Sequence, residues 1–288
     1  MKVIVHGGAG SDPDEPVPRQ AVLDDAAETG AAESDVLDAV ESAVHVLESS
    51  PRFNAGVGGA VQSDGAIRTD AGVMTSDREA GAACSMPGVE HAVSAARVVL
   101  EETPHVLVSG DHAVDLAADF EVETGVDLWS EKKREKWADL DDVPDGTPSE
   151  HLDWLREKFG GADTVGAVAY DGDEFAAATS TGGRWLALAG RVGDVPQIGS
   201  GFFAAPAGAA SATGAGEDIA KATLTRRAVR HLESGHDARE AADRAIEEFA
   251  ELTGSSAGVI VLDSDGNAGS AFNSDAMQTS VSSRTASR

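Results

Sequence analysis

Asp163-Thr164-Val165-Gly166-Ala167-Val168-Ala169 reads as an apolar strand that starts abruptly on a threonine, midway along 288 residues. A charged, proline-bearing segment precedes it. Two polar, glycine-containing clusters follow, Thr179-Ser180-Thr181-Gly182-Gly183 and Ser211-Ala212-Thr213-Gly214-Ala215-Gly216-Glu217. Threonine is common in strands because its branched β-carbon suits a pleated backbone. In this context it also looks like a hidden N-terminus. Cutting the Asp163–Thr164 bond would leave one residue with both a hydroxyl nucleophile and an α-amine. Such an amine titrates at about 7.7–8.0, so its neutral form is available to take the hydroxyl proton.

Outward from this strand, residues 164–170 and 174–180 flank Asp171-Gly172-Asp173, and residues 259–263 and 267–272 flank Ser264-Asp265-Gly266. Both patterns predict hairpins. Residues 67–74 and 80–86 read as small-residue strands, and 2–5 as a buried strand stopping at a glycine turn, His6-Gly7-Gly8-Ala9-Gly10. Apolar spacing predicts helices over 34–47, with Ser34 as N-cap, and over 93–101, 112–120, 219–232 and 238–252. Residues 11–19 and 47–61 read as loops. Residues 129–161 read as a mobile connector holding a short helix at 150–159, and the serine-rich tail after Met277 as disordered. The succession predicts an α+β fold, antiparallel sheet covered by helices on both sides.

Composition narrows the function classes. The net charge is −28, from 50 acidic and 22 basic residues spread along the chain. That balance argues against nucleic acid or an anionic membrane as partner. It reads as a solvating surface suited to a cytosol rich in salt. The single cysteine, Cys84, excludes an intramolecular disulfide and multi-cysteine zinc sites and reads as a small buried apolar residue. The N-terminus lacks a signal-like apolar stretch, and no run approaches the ~20 apolar residues of a membrane span. A cytoplasmic protein is expected.

Three further clusters are candidates for chemistry. Thr179, Ser180 and Thr181 end a strand at a Gly-Gly turn, where hydroxyls either bond local backbone or tune a nucleophile. Thr213-Gly214 precedes a helix start, where free N–H groups serve either a simple strand-to-helix turn or a developing oxyanion. Arg191 and Asp194 form either a local ion pair or a clamp for an α-carboxylate and an α-ammonium. The glycine-rich Gly199-Ser200-Gly201 lacks the spacing of a dinucleotide loop.

Six strings occur together in order: HGGAG (6–10), SPRFNAGVG (50–58), TVGAVA (164–169), ATSTGG (178–183), GRVGD (190–194) and SATGAGE (211–217). Through them nearly the whole chain resembles the plant-type L-asparaginases, or isoaspartyl peptidases, among the N-terminal-nucleophile hydrolases. The resemblance implies a four-layer αββα sandwich, a single domain made as a precursor that splits into 1–163 and 164–288. It implies that Thr164 is the nucleophile of self-cleavage at Asp163/Thr164 and of hydrolysis of L-asparagine and β-aspartyl dipeptides. Thr181 would stand beside it, Thr213 and Gly214 would form the oxyanion hole, and Asn54 would lie near the active site. Arg191 and Asp194 would hold the substrate's α-groups, with Thr213, Gly214 and Gly216 lining the same end. It also implies a structural sodium on the carbonyls of Leu47, Glu48, Phe53, Ala55 and Val57, no catalytic cofactor, and a dimer of αβ units.

Three positions depart from the family pattern: Asp163 in place of glycine, Ala187 in place of lysine, and Ala215 in place of threonine. Aspartate before the nucleophile is similar to glycosylasparaginases and the threonine aspartase branch. Hydrolases of those kinds are the neighbouring alternatives, and a non-catalytic small-molecule-binding relative is the alternative of another class.

Overall fold

The computed structural model describes residues 1–141, 143–144, 146–158 and 164–284. The chain order begins β1 (Lys2–Gly10), α1 (Pro16–Ala32), α2 (Val36–Glu48), β2 (Arg68–Thr75), β3 (Ala80–Pro87), α3 (Ala92–Glu102), β4 (Leu107–Ser109), α4 (Asp111–Asp119), α5 (Glu131–Ala138) and α6 (Pro148–Lys158). It continues β5 (Val165–Tyr170), β6 (Phe175–Thr181), β7 (Phe202–Ala205), β8 (Gly208–Gly214), α7 (Gly216–Ala222), α8 (Leu224–Glu233), α9 (Ala238–Thr253), β9 (Ala257–Asp263), β10 (Ala268–Phe272) and β11 (Ala276–Ser283).

Two sheets form. One has the strand order β11-β1-β5-β6-β2-β3-β4 and the other β10-β9-β8-β7. Pairing is antiparallel except between β3 and β4. Side chains alternate across each strand, which sorts the apolar residues into three layers. Val3, Val5, Ala167 and Ala178 face α1, α2 and α3. Ile4, Val168, Ala177, Ala209 and Ile260 fill the gap between the sheets. Ala210, Ala212, Val259 and Val261 face α8 and α9. The result is the αββα sandwich that the motifs imply. Small residues let the layers approach closely. A Cβ on Gly30 of α1 would lie 2.6 Å from the Ala39 carbonyl oxygen of α2, and one on Gly72 of β2 would lie 2.0 Å from the Phe202 ring.

Several elements differ from the sequence reading. The strand read at 2–5 continues to Gly10, with a register shift between His6 and Ala9 against β11. Its glycines mark a bulge rather than a turn. The serine-rich tail as far as Ser283 belongs to β11, paired with β1 from Lys2↔Ser283 to Gly10↔Ala276, and residues 285–288 lie outside the described residues. Backbone hydrogen bonding recruits it whatever its side chains, because β1 would otherwise keep an open edge. The loop expected over 11–19 gives way to α1 at Pro16. The cap of α2 is Asp35, not Ser34: its carboxylate accepts from the Leu37 and Asp38 amides at 2.8 and 3.1 Å. An ionised side chain there also meets the helix dipole favourably. The helix read over 219–232 is two, broken at Thr223, which has φ 52° and ψ 55°. The connector is not loose where it is described. It carries α5 and α6, and Trp137, Leu140, Trp154 and Leu155 pack with Trp185 and Leu186.

Candidate active site

Thr164 lies immediately before β5, and Thr181 is the last residue of β6. Val165 pairs with Ser180, so the hairpin sets the two threonines side by side. The Thr164 hydroxyl donates to the Thr181 hydroxyl at 3.4 Å, and both residues are buried. Asp163 and the bond before Thr164 lie outside the described residues. Thr181 Oγ1 also accepts from the Gly183 amide at 3.1 Å and donates to the Asn54 main-chain oxygen at 3.4 Å. Asn54 comes from the loop between α2 and β2. Its Nδ2 donates to the Gly183 carbonyl at 2.7 Å and reaches Thr181 Oγ1 at 3.5 Å. The loop can approach this closely because Gly182 has no side chain: a Cβ there would stand 2.4 Å from Gly59 Cα. A cavity of about 870 Å³ opens beside Asn54 between the loop after β1 and α5, with Gly10, Ser11, Lys133 and Trp185 among its walls.

Thr213 reaches the same end from the opposite sheet. His6 pairs with Gly166, and Ala9 lies three residues further along β1. The Ala9 amide donates to Thr213 Oγ1 at 3.3 Å. Gly214 follows at φ 134°, and a Cβ there would strike the Ser256 carbonyl oxygen at 2.6 Å. Only glycine fits this left-handed, tightly packed position.

Arg191, Asp194 and Gly216 converge. A Cβ on Gly216 would lie 2.6 Å from Asp194 Oδ1 and 2.8 Å from Arg191 Nη2. Arg191 Nη2 and Asp194 Oδ2 are buried and make no hydrogen bond. A buried donor or acceptor left unsatisfied is costly. Burial pushes the Asp194 carboxyl up to about 7, against the pull of its own backbone hydrogen bond and the Arg191 charge.

Two site residues escaped the sequence reading. Glu217 accepts from Arg191 Nε at 2.8 Å and from Arg184 Nη1 at 3.5 Å. Burial raises its pKa, but the Arg191 hydrogen bond and charge, with help from Arg184, leave it below the usual carboxylate range. Glu217 closes the SATGAGE string, and that was its signal. Asp70 on β2 is fully buried, pushed up to about 7 by burial, and accepts from the Ser85 amide at 2.7 Å. Its signal was an acid inside an apolar strand.

Among the described residues no cluster of His, Cys, Asp or Glu forms a metal site. The carbonyls of Leu47, Glu48, Phe53, Ala55 and Val57 sit where α2 ends and its loop folds back. The Val57 amide donates to the Glu48 carbonyl at 2.9 Å, and a Cβ on Gly56 would lie 2.3 Å from that oxygen. The last turn of α2 carries partial negative charge, and the Leu47 and Glu48 carbonyls there already accept from the Ser50 and Val57 amides.

An asparaginase family model matches residues 1–288, and the chain belongs to that family. It is 39% identical to the plant-type L-asparaginase of Pyrococcus abyssi over 96% of this chain and 94% of that one. It is 40% identical to the plant-type L-asparaginase of Pyrobaculum calidifontis, with the same coverage. It is also 36% identical to the isoaspartyl peptidase/L-asparaginase of Danio rerio, over 94% of this chain and 89% of that one.

Proposed function

We propose that this chain is a precursor that cuts itself before Thr164 and then hydrolyses L-asparagine and β-aspartyl dipeptides. The observation that carries this reading is the buried Thr164 hydroxyl, 3.4 Å from the Thr181 hydroxyl at the mouth of the β5–β6 hairpin. In self-cleavage the hydroxyl attacks the Asp163 carbonyl. An N-to-O acyl shift gives an ester, and water frees residues 1–163 from 164–288. In turnover the new α-amine takes the hydroxyl proton, and the oxygen attacks the side-chain amide of the substrate. The Thr213 hydroxyl and Gly214 N–H meet the oxyanion. Ammonia or an amino acid leaves, and water releases aspartate. Arg191 forks onto the substrate α-carboxylate and Asp194 holds its α-ammonium, which supplies the partners their buried atoms lack.

No cofactor takes part in these steps. A sodium ion on the carbonyls of Leu47, Glu48, Phe53, Ala55 and Val57 would stiffen the Asn54 loop from behind. The names of the relatives support the substrate class. A dimer of αβ units and a cytoplasmic location belong to the same proposal; the lone buried Cys84 suits a reducing compartment.

Denaturing electrophoresis of incubated protein should give two fragments meeting at Asp163/Thr164, and Thr164→Ala should stay a single inactive chain. Full activity in that variant removes the nucleophile. Asparagine, isoaspartyl-leucine and a glycosyl-asparagine should be assayed side by side, and preference for the last would move the enzyme to the glycosylasparaginase-like alternative.

A further inference from the structure

Beneath the three threonines lies a second polar layer. His6 Nε2 is 2.9 Å from Ser211 Oγ, Ser211 Oγ is 2.6 Å from Thr179 Oγ1, and Thr179 Oγ1 donates to the Gly201 carbonyl at 2.9 Å. All three side chains are buried. His6 and Thr179 belong to the larger sheet and Ser211 to the smaller, so the chain of hydrogen bonds crosses the gap between sheets. Its neighbours further along the same strand faces are the apolar Ile4, Ala177 and Ala209.

The spacing relates this layer to the reacting groups. Thr179 is two residues before Thr181, and Ser211 is two residues before Thr213. Residues two apart share a strand face, about 6.7 Å apart. Gly166, two residues after Thr164, completes the pattern with an empty position. A Cβ there would lie 2.0 Å from Ser211 Oγ and 2.6 Å from His6 Nε2. The imidazole and the serine hydroxyl therefore occupy the space a side chain on the nucleophile's own strand would fill.

Proton counting gives the chain a direction. The Gly201 carbonyl can only accept, so the single Thr179 proton goes there. In the 2.6 Å contact Ser211 must then donate, and in the 2.9 Å contact the donor must be His6 Nε2–H. A neutral ring with its proton on Nε2 meets that need. Burial pushes the imidazole down to about 3, the Thr164 main chain opposes this, and the Arg19 charge reinforces it. Arg19 in turn donates to the Gly7 carbonyl, tying the bulge after His6 to α1.

We propose that His6, Ser211 and Thr179 form a buried positioning chain that sets the spacing of Thr164, Thr181 and Thr213 across the gap between the two sheets. None of the three touches substrate; they act through the threonines one pleat repeat above them. A network of this kind in a low-dielectric gap, paired at every hydroxyl and at His6 Nε2 with only His6 Nδ1 left over, holds a unique register where apolar packing of alanines and glycines alone would allow sliding.

The proposal rests on the Thr164 reading and is tested in cleaved enzyme, with rates counted per free N-terminal threonine. Ser211→Ala and the near-isosteric Thr179→Val should lower kcat for asparagine roughly ten- to a hundredfold, the scale on which a misplacement of about 1 Å acts. KM should stay within about threefold, because Arg191 and Asp194 are untouched. Thr179→Ser keeps the hydroxyl and should keep kcat while losing some thermal stability. His6→Gln can present an amide N–H near the place of Nε2–H and should recover most of what His6→Ala loses. A variant that remains one chain is scored on the rate of self-cleavage, which uses the same hydroxyl.

Folded Ser211→Ala and Thr179→Val enzymes with kcat within about twofold of the parent would overturn the chain. So would rates at residue 179 that follow the methyl group rather than the hydroxyl. If the parent itself neither cleaves nor hydrolyses asparagine, the Thr164 reading fails; an active parent with indifferent variants removes the positioning chain alone.

Discussion

Arg191 Nη2 and Asp194 Oδ2 are both buried, both unpaired, and both belong to side chains that crowd the empty side of Gly216. Glu217 occupies Arg191 Nε and leaves Nη2 over. The guanidinium is thereby oriented by one carboxylate, and in the proposed reading Nη2 meets the carboxylate of the substrate. Arg191→Lys keeps the charge and loses the fork. Loss of a charge-assisted hydrogen bond costs about 1.5–3 kcal/mol, so KM for asparagine should rise about ten- to a hundredfold with kcat less affected. Steady-state kinetics decide it: an unchanged KM would mean that Arg191 binds no substrate carboxylate.

Gly216→Ala should block the same place by volume. The added methyl would stand 2.6 Å from Asp194 Oδ1 and 2.8 Å from Arg191 Nη2. The residue opens α7, where alanine is tolerated better than glycine by about 0.5–1 kcal/mol. Activity on asparagine should fall steeply while the unfolding temperature stays near the parent's. A variant that unfolds early would point to structure rather than occupancy.

The pH profile follows from Asp194. Only its carboxylate can hold an α-ammonium, and burial pushes its pKa up to about 7 in the free enzyme. If Asp194 binds substrate as proposed, acid protonates a group that binding needs, and kcat/KM should fall as pH drops through about 7. In the proposed mechanism the Thr164 α-amine, with an ordinary pKa of about 7.7–8.0, must also be neutral and should bend the profile the same way. The acid limb of log kcat/KM should approach a slope of about two in the parent and about one in Asp194→Asn. Equal slopes in the two would remove Asp194 from substrate binding.

Ending the chain before Ala276 deletes β11 and opens the outer edge of β1. At about 0.5–1.5 kcal/mol net for each lost hydrogen bond, the cost should reach several kcal/mol. Thermal unfolding with light scattering should show an earlier transition and edge-driven association. A truncated chain as stable as the parent would mean that β11 contributes little to holding β1 and its His6.

Much of the architecture was readable from local pattern. The hairpins at Asp171-Gly172-Asp173 and Ser264-Asp265-Gly266, the spacing of Val36, Val40, Val44 and Leu47, and the strands around Gly72 and Gly81 follow from short-range rules of alternation and turn chemistry. What failed was whatever depends on a distant partner. The end of α1 buries Ala26, Ala27, Gly30 and Ala31 with little apolar rhythm and earns its place by fitting against Ala39 and Ala43 of α2. β11 looks like a polar tail and is a strand because β1 lacks a neighbour. The tryptophans of the connector gain a reason only from Trp185, whose ring centre lies 6.4 Å from that of Trp137.

The site divides in the same way. Thr164, Thr181, Thr213, Asn54, Arg191, Asp194 and Gly216 could be named from strings of sequence, because each string keeps its own residue types at fixed spacing. Their meeting could not be read from the chain, since Thr181 and Thr213 are 32 positions apart and sit on different sheets. Glu217 against Arg191, Asp70 beneath the clamp, and His6 against Ser211 across 205 positions are products of the tertiary structure. Sequence determines what a residue can donate, accept or fill; only packing the two sheets face to face decides which of those capacities find one another and which stay open for a ligand.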